Sequence, residues 1–175
     1  LFTVSTSDCI RVDTTPPAIP AMKPEPAYAS GTVNIVSCDA VTDAVSGGVT
    51  YSFDCSTDPA FGSVLSSSAW LSEPSYEFTG LNDGVTYYFR VRARDAVLNE
   101  SDFSSGVSST QDSLPPSATG YTDNVADNND PDYVWSRDAS VSFAAVGLTD
   151  NLSGVKDVYV EIANENTFTP PVLFS

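Results

Sequence analysis

The sequence predicts an all-β fold, and two observations carry that prediction. The polar residues are dominated by Ser, Thr, Asp and Asn, whereas helix-favouring residues are scarce, with 7 Lys and Arg together and 1 Met. Such a balance favours strands and turns over helices. The second observation is the alternation of apolar with polar or charged side chains in residues 87–94 (YYFRVRAR). Alternation with a period of two is typical of a strand with one buried face.

Other segments of the first part of the chain have the same strand-like character, at residues 33–38, 49–55, 75–78 and 106–110. Residues 46–48 (SGG) and 82–84 (NDG), which lie between them, belong to the types that tolerate positive φ in turns. Several short strands separated by such turns predict a β-sandwich.

An internal repeat organises the chain. Residues 13–17 (DTTPP) recur as residues 112–116 (DSLPP), and the offset of roughly 100 residues is the length of one sandwich domain. A second motif, residues 42–47 (TDAVSG), recurs as residues 149–154 (TDNLSG). Paired prolines suit a linker, because each ring fixes φ and removes a hydrogen-bond donor.

The repeat predicts three parts of the chain. Residues 1–12 are expected to be the final strand of a preceding module, residues 13–112 a complete sandwich, and residues 113–175 a second, incomplete sandwich. An incomplete sandwich leaves an apolar face and strand edges exposed. Two interpretations therefore stay open: the chain is a fragment, or strands from another copy complete the second module.

The net charge of −16, from 23 acidic and 7 basic residues, limits the classes of partner. Nucleic acid is not expected, because phosphate binding needs clusters of Lys and Arg. Membrane insertion is not expected either, since no apolar run approaches the roughly 18 residues that a span requires. An acidic surface suits solubility, divalent cations or no partner at all.

The sequence contains no histidine, and we expect a protein without enzymatic activity. The commonest general base is therefore missing, and neither a Ser–His–Asp nor a Cys–His nucleophile system can form. Paired carboxylates could still hydrolyse a glycoside, but the acidic residues fall mostly in predicted turns and linkers.

One acidic segment has the chemistry of a calcium site. Residues 123–132 (DNVADNNDPD) offer the carboxylates of Asp123, Asp127, Asp130 and Asp132 together with side-chain amides. Calcium prefers about six to eight oxygen ligands and accepts flexible loops, which makes Ca²⁺ the one candidate cofactor. The spacing does not match an EF-hand, and Asp, Asn and Pro are ordinary turn residues, so a solvated loop is the alternative.

Two further features concern the surface. Arg90, Arg92 and Arg94 form a stripe that either docks a carboxylate-bearing partner or, in our preferred interpretation, pairs with Asp and Glu across strands. Trp70 and Trp135 could stack on sugar rings, so a glycan is a further candidate partner, although such rings more often fill sandwich cores.

Residues 81–93 (LNDGVTYYFRVRA) resemble the signature of the fibronectin type III family around its sixth strand, where a Leu, a Gly and a Tyr precede an alternating run. This resemblance implies that Tyr87, together with Leu81 and Gly84, forms a tyrosine corner in which the Tyr hydroxyl bonds nearby backbone. Residues 95–101 (DAVLNES) also resemble a loop of bacterial members.

The resemblance covers residues 14–112 well and residues 113–175 in part. It implies Ig-like or fibronectin type III-like sandwiches in tandem, in a surface or secreted multidomain protein of a bacterium or archaeon. The motif is specific for fold and not for function, since many unrelated functions use this sandwich.

Cysteine marks a departure from the family, which usually carries a core Trp where this chain has Cys38. On the next strand, Cys55 has the same parity as Tyr51 and Phe53, so both thiols are expected to face the core. A Cys38–Cys55 disulfide would replace the missing ring, and two buried free thiols are the alternative. Cys9 would then pair, if at all, with a preceding module.

These features together predict a non-catalytic structural, spacer or adhesion module of an extracellular or cell-surface tandem-repeat protein. Its expected partners are neighbouring modules of the same chain or other copies. Two alternatives stay open: a subunit of an extracellular filament completed by strand addition, and an accessory module of a secreted polysaccharide-degrading enzyme, which predicts glycan binding.

Overall fold

The computed structural model describes residues 11–123 and 143–158. The chain divides into two compact units, Leu1–Ser113 and Leu114–Ser175. The described residues are all-β and contain no helix, as the sequence predicts. Accordingly, no helix in the described ranges is long and apolar enough to cross a bilayer. Most of the strand expected for residues 1–12 lies outside the described residues and stays a prediction.

Short strands build the first unit: β1 Tyr28–Ser30, β2 Val33–Ser37, β3 Thr50–Ser56, β4 Ser66–Ser67, β5 Ser75–Thr79, β6 Thr86–Arg94 and β7 Val107–Asp112. Strands are present at every position where the sequence pattern predicts them in this unit, with slightly shifted ends. The short strands β1 and β4 are additions that the pattern does not predict.

The strands form two sheets. The larger has the order β1-β7-β6-β3-β4, and the smaller consists of β2 and β5. β1 runs parallel to β7, and the other pairings in these two sheets are antiparallel. The register places Phe53 opposite Val91. Met22 extends the smaller sheet through an antiparallel bridge to Cys38.

The core lies between the sheets and depends on the alternation of β6. The buried side chains of this strand are Tyr87, Phe89, Val91 and Ala93. From the smaller sheet, Val36 and Phe78 are buried against them, and the Phe78 and Phe89 ring centroids lie 5.3 Å apart. Truncating a buried Phe to Ala costs about 3–5 kcal/mol, so this layer is a main source of stability.

Cys38 and Cys55 are buried free thiols, so of the two alternatives left open by the sequence the disulfide does not form. The reason is their position along the strands. Cys38 follows β2 and donates its backbone N–H to Pro74, just before β5 begins, whereas Cys55 borders a cleft with Leu81, just after β5 ends. The length of β5, at about 3.3 Å per residue, separates these two ends, whereas a disulfide needs Cα atoms within about 7 Å.

The two thiols pack as small apolar side chains. Burial raises the pKa of Cys38 to about 11, with a further contribution from the negative charge of Asp39. Burial alone raises the pKa of Cys55 to about 11. Both thiols are therefore neutral at physiological pH, as expected for core residues.

The described residues of the second unit form an antiparallel pair, β8 Gly120–Asp123 and β9 Phe143–Val146. Ser117 and Thr149 extend this pair by an isolated bridge, in which each backbone N–H donates to the carbonyl of the other residue.

The repeated TDxxSG motif has a similar turn in each unit. The carboxylate of Asp150 accepts backbone N–H bonds from Leu152 at 3.0 Å and Gly154 at 2.7 Å. In the first unit, the carboxylate of Asp43 accepts those of Val45 and Ser46, each at 2.8 Å. The motif is thus a carboxylate-capped turn in both units.

Candidate functional site

The turn before β6 contains the three residues that the sequence assigns to a tyrosine corner. The Tyr87 hydroxyl accepts a hydrogen bond of 2.9 Å from the backbone N–H of Asn82, and its ring is buried. Leu81 is buried beside it and donates its backbone N–H to Thr32 at 2.9 Å. Gly84 has a φ of +72°, a left-handed conformation that glycine adopts without strain. This arrangement fixes the turn and carries no reactive group.

The calcium ligands expected from the sequence are mostly outside the described residues. Asp123 is the last residue of β8, while Asp127, Asp130 and Asp132 fall between the described ranges. That site stays a prediction. The carboxylates that the structure does bring together come from other parts of the chain.

Asp13, Asp43 and Asp95 form an acidic cluster, in which one carboxylate oxygen of each residue lies within 4.8 Å of the others. Asp13 belongs to the proline linker, Asp43 to the TDAVSG turn, and Asp95 directly follows β6. Asp13 and Asp43 are partly exposed, while Asp95 is only 2% exposed. Hereafter these three residues are called the acidic cluster.

Local hydrogen bonds hold Asp95 in place. Its Oδ1 accepts the backbone N–H groups of Val97 at 2.9 Å and Asn99 at 2.8 Å, and its Oδ2 accepts the Asn99 side-chain amide at 2.8 Å. The same Asn99 amide nitrogen donates to the backbone carbonyl of Asp13 at 3.2 Å. Asn99 thereby ties the linker to the loop that follows β6.

Asp13 and Asp43 are oriented in the same way by their own turns. Oδ1 of Asp13 accepts the backbone N–H of Thr15 at 3.0 Å. Oδ1 of Asp43 accepts two backbone N–H groups and, at 3.2 Å, the Ser46 hydroxyl. In each case, one carboxylate oxygen serves the local backbone, which leaves the other oxygen for a different contact.

Two carboxyls of the acidic cluster, those of Asp43 and Asp95, have lowered pKa values. Hydrogen bonds from the Ser46 and Val45 backbone lower the pKa of Asp43. Burial acts to raise the pKa of Asp95, but the hydrogen bonds from Asn99, Ser46 and Val97 outweigh it, and the pKa is lowered. Among the described residues, the ion pairs are Lys23–Asp39, Arg90–Asp54 and Arg92–Glu100. The negative charge of the cluster therefore has no ion-pair partner in the described part of the chain.

The outward face of β6 stacks its arginines on aromatic rings. The Arg90 guanidinium carbon lies 3.6 Å from the Phe103 ring centroid and 4.3 Å from that of Phe61. The guanidinium carbons of Arg92 and Arg94 lie 5.2 and 4.2 Å from the Trp70 centroid. Contacts of this kind contribute about 0.5–1 kcal/mol each at exposed sites.

Two of these arginines also pair with acids. Arg90 donates Nε–H and Nη2–H to Oδ2 of Asp54, which lies opposite it in the register, and Arg92 pairs with Glu100. This is the structural interpretation preferred from the sequence. Trp70, a candidate platform for sugars, stacks with Arg92 and Arg94, and sugar binding by this ring stays a prediction. Trp135 lies outside the described residues.

No protein-family model and no curated protein matches the chain. Among solved structures, the chain is similar to a fibronectin type III domain of the human fibronectin type III domain containing protein 3, at 17% identity with a TM-score of 0.47, covering 59% of this chain and 93% of that one. An Fn3-like protein from Clostridium thermocellum matches at 19% identity and a TM-score of 0.40, covering 58% and 96%.

A third similar structure is a beta-1,2-glucanase from Parabacteroides distasonis, at 19% identity and a TM-score of 0.45. The match covers 58% of this chain but only 14% of that one. The two-sheet sandwich of the first unit follows from its own strand order and pairings.

Sequence reasoning did not find the acidic cluster. One signal was present: Asp13 and Asp43 each belong to a motif that recurs, at Asp112 and Asp150. Asp95 belongs to neither of the two repeated motifs. That the three side chains meet depends on which loops gather at one end of the sandwich.

Proposed function

We propose that the chain is a non-catalytic structural or spacer module of an extracellular tandem-repeat protein. The observation that carries the proposal is the attachment of the proline linker to the first sandwich. A linker fixed to its module sets the direction in which a neighbouring module leaves, which a spacer requires.

The attachment runs along the linker. Pro17 and Pro20 are buried, whereas Pro16 is exposed. Farther along, the backbone N–H of Lys23 donates to Ser37 at 2.8 Å, so the segment joins the edge of the smaller sheet. Together with the bond from Asn99 to the Asp13 carbonyl, these contacts hold the linker at both of its ends.

The chemistry of the chain supports a non-catalytic role. The chain has no histidine. A cleft of about 300 Å³ beside β5 is lined by apolar, hydroxyl and amide side chains with one thiol, and by no acid–base pair, in the described part of the chain. The thiol is that of Cys55, whose raised pKa keeps it protonated and weakly nucleophilic at neutral pH.

Hydrogen exchange on the 175-residue chain tests the linker attachment. We expect the backbone amide of Lys23 to be protected to the same degree as amides of β2. Pro20→Ala removes a fully buried ring and should accelerate exchange at Lys23. Pro16→Ala, at an exposed position of the same linker, should not. Exchange at Lys23 as fast as in an unfolded peptide would contradict the proposal.

The two alternative functions predict different results. A filament subunit should self-associate with increasing concentration in analytical ultracentrifugation, and an accessory module of a polysaccharide-degrading enzyme should be retained on an insoluble glycan. A monomer that is not retained on glycans and has a protected linker fits the spacer role alone.

A further inference from the structure

Three segments that are far apart in the sequence supply the acidic cluster. The linker, the TDAVSG turn and the loop after β6 each place one carboxylate oxygen in a group only 4.8 Å across. Like charges this close repel one another strongly where water is scarce, and Asp95 is almost fully buried. Hydrogen bonds from the backbone offset part of this repulsion, and a bound cation would offset more of it.

Oδ2 of Asp13 independently indicates a missing partner. This oxygen is buried, yet no described residue donates a hydrogen bond to it. The other oxygen, Oδ1, already accepts the Thr15 N–H. A buried carboxylate oxygen without a donor is unfavourable, and it becomes favourable only when a cation or a donor reaches it.

No lysine or arginine supplies that charge in the described residues. The described ion pairs engage Asp39, Asp54 and Glu100, and none of them includes a residue of the acidic cluster. Asp43 and Asp95 are also held in their ionised form by backbone and side-chain donors. The cluster thus combines formal negative charge, convergent oxygens and an unpartnered buried atom.

We propose that Asp13, Asp43 and Asp95 bind a calcium ion that fastens the linker to the two loops at this end of the sandwich. An all-oxygen set suits a hard cation, whereas zinc prefers nitrogen and sulfur ligands. Calcium accepts irregular geometry and completes its shell with water, whereas magnesium demands a near-ideal octahedron. The oxygens of Asp13 and Asp43 that do not accept backbone N–H groups, together with an Asp95 oxygen that keeps its present hydrogen bonds, supply the protein ligands.

This site is distinct from the acidic segment of residues 123–132. It also stands on its own geometry, so it holds whether or not the chain serves as a spacer. The loop after β6 already holds the linker through the hydrogen bond from Asn99 to the Asp13 carbonyl. Calcium would add a second contact between this loop and Asp13, and both contacts would have to break before the linker could move away.

Isothermal titration of the 175-residue chain with calcium chloride, after removal of divalent ions by chelation, tests the site. We expect binding that is weakened about tenfold or more by Asp13→Asn and by Asp43→Asn, because each loses a charged ligand but keeps its turn acceptor. The melting temperature of the natural chain should rise with calcium, and that of the two variants should rise less.

Matched controls make the result decisive. Asp102→Asn removes one charge from an exposed position of the same unit and should leave calcium binding unchanged. Asp127→Asn/Asp130→Asn alters the other acidic segment and should leave the binding that depends on Asp13 and Asp43 intact. The proposal is overturned if calcium neither binds nor raises the melting temperature, if only the Asp127→Asn/Asp130→Asn variant loses binding, or if magnesium chloride stabilises the chain at least as well.

Discussion

The two ends of β6 are held by different chemistry. At its start, Tyr87 and Leu81 close the sandwich with a buried ring, a buried aliphatic side chain and one neutral hydrogen bond. At its end, Asp95 gathers two further carboxylates and an amide. At the first end, the hydrogen bonds of Tyr87 and Leu81 have neutral partners within the chain. The second end concentrates charge that the described residues do not balance.

The two ends of β6 should therefore respond differently to ions. Stability at the start of β6 should depend on packing, which responds little to ions. Stability at the end of β6 should depend on the ionic composition of the solvent, since the carboxylates there interact with ions. Three sets of variants test this difference.

Leu81→Ala at the start of β6 should have the largest effect. Leu81 is 5% exposed, and truncation of a buried Leu lowers the free energy of unfolding by about 2–5 kcal/mol. Urea denaturation measures the loss, with Val33→Ala at a more exposed neighbouring position as the control. The comparison predicts the same loss with calcium and with a chelator. A loss of unfolding free energy that changes strongly with calcium would contradict the difference between the two ends.

Tyr87→Phe should have a smaller effect at the same end. The ring stays, but the Asn82 N–H loses its acceptor, and a buried donor left without a partner costs about 1–3 kcal/mol. Tyr28→Phe is a matched control, since Tyr28 is 44% exposed and the same hydroxyl is removed. Equal stability of the two variants in urea would show that the hydroxyl of Tyr87 contributes nothing to the turn.

The sequence predicted the fold well where alternation was long. The nine residues of β6 repeat the pattern often enough to identify both the strand and its buried face. β1 and β4 have 3 and 2 residues, too few for a period to show, and they form because β7 and β3 offer free edges. Short strands of this kind are tertiary products, so local sequence does not encode them.

The same limit explains the two outcomes at the candidate sites. Parity placed both Cys38 and Cys55 inside the sandwich, as the structure does. Parity does not tell where along a strand a residue lies, and the thiols are apart because Cys38 and Cys55 lie near opposite ends of the sandwich. The acidic cluster escaped prediction because its three carboxylates come from separate loops. The Tyr87 turn was accessible to prediction because residues 81–93 resemble a family signature that lies within one short segment.

The last prediction compares one thiol at each end of the sandwich. Cys55 lies near the Tyr87 turn and Cys38 near the opposite end, and burial raises both pKa values from 9.0 to about 11. Below about pH 9 the thiols are neutral in both the folded and the unfolded chain, so their contribution to stability is complete. Between about pH 9 and about pH 11 only the unfolded chain releases these protons, so stability falls as pH rises.

We expect a loss of about 1–2 kcal/mol from each thiol over this range, measured by urea denaturation at a series of pH values. Tyrosine and lysine also titrate there, so the control is Cys38→Ala/Cys55→Ala, which keeps those groups and removes the two thiols. The loss should be smaller in this double variant and intermediate in each single variant. A single variant as insensitive as the double variant would show that only one end of the sandwich excludes water from its thiol. An identical pH dependence in all four proteins would contradict the burial of both.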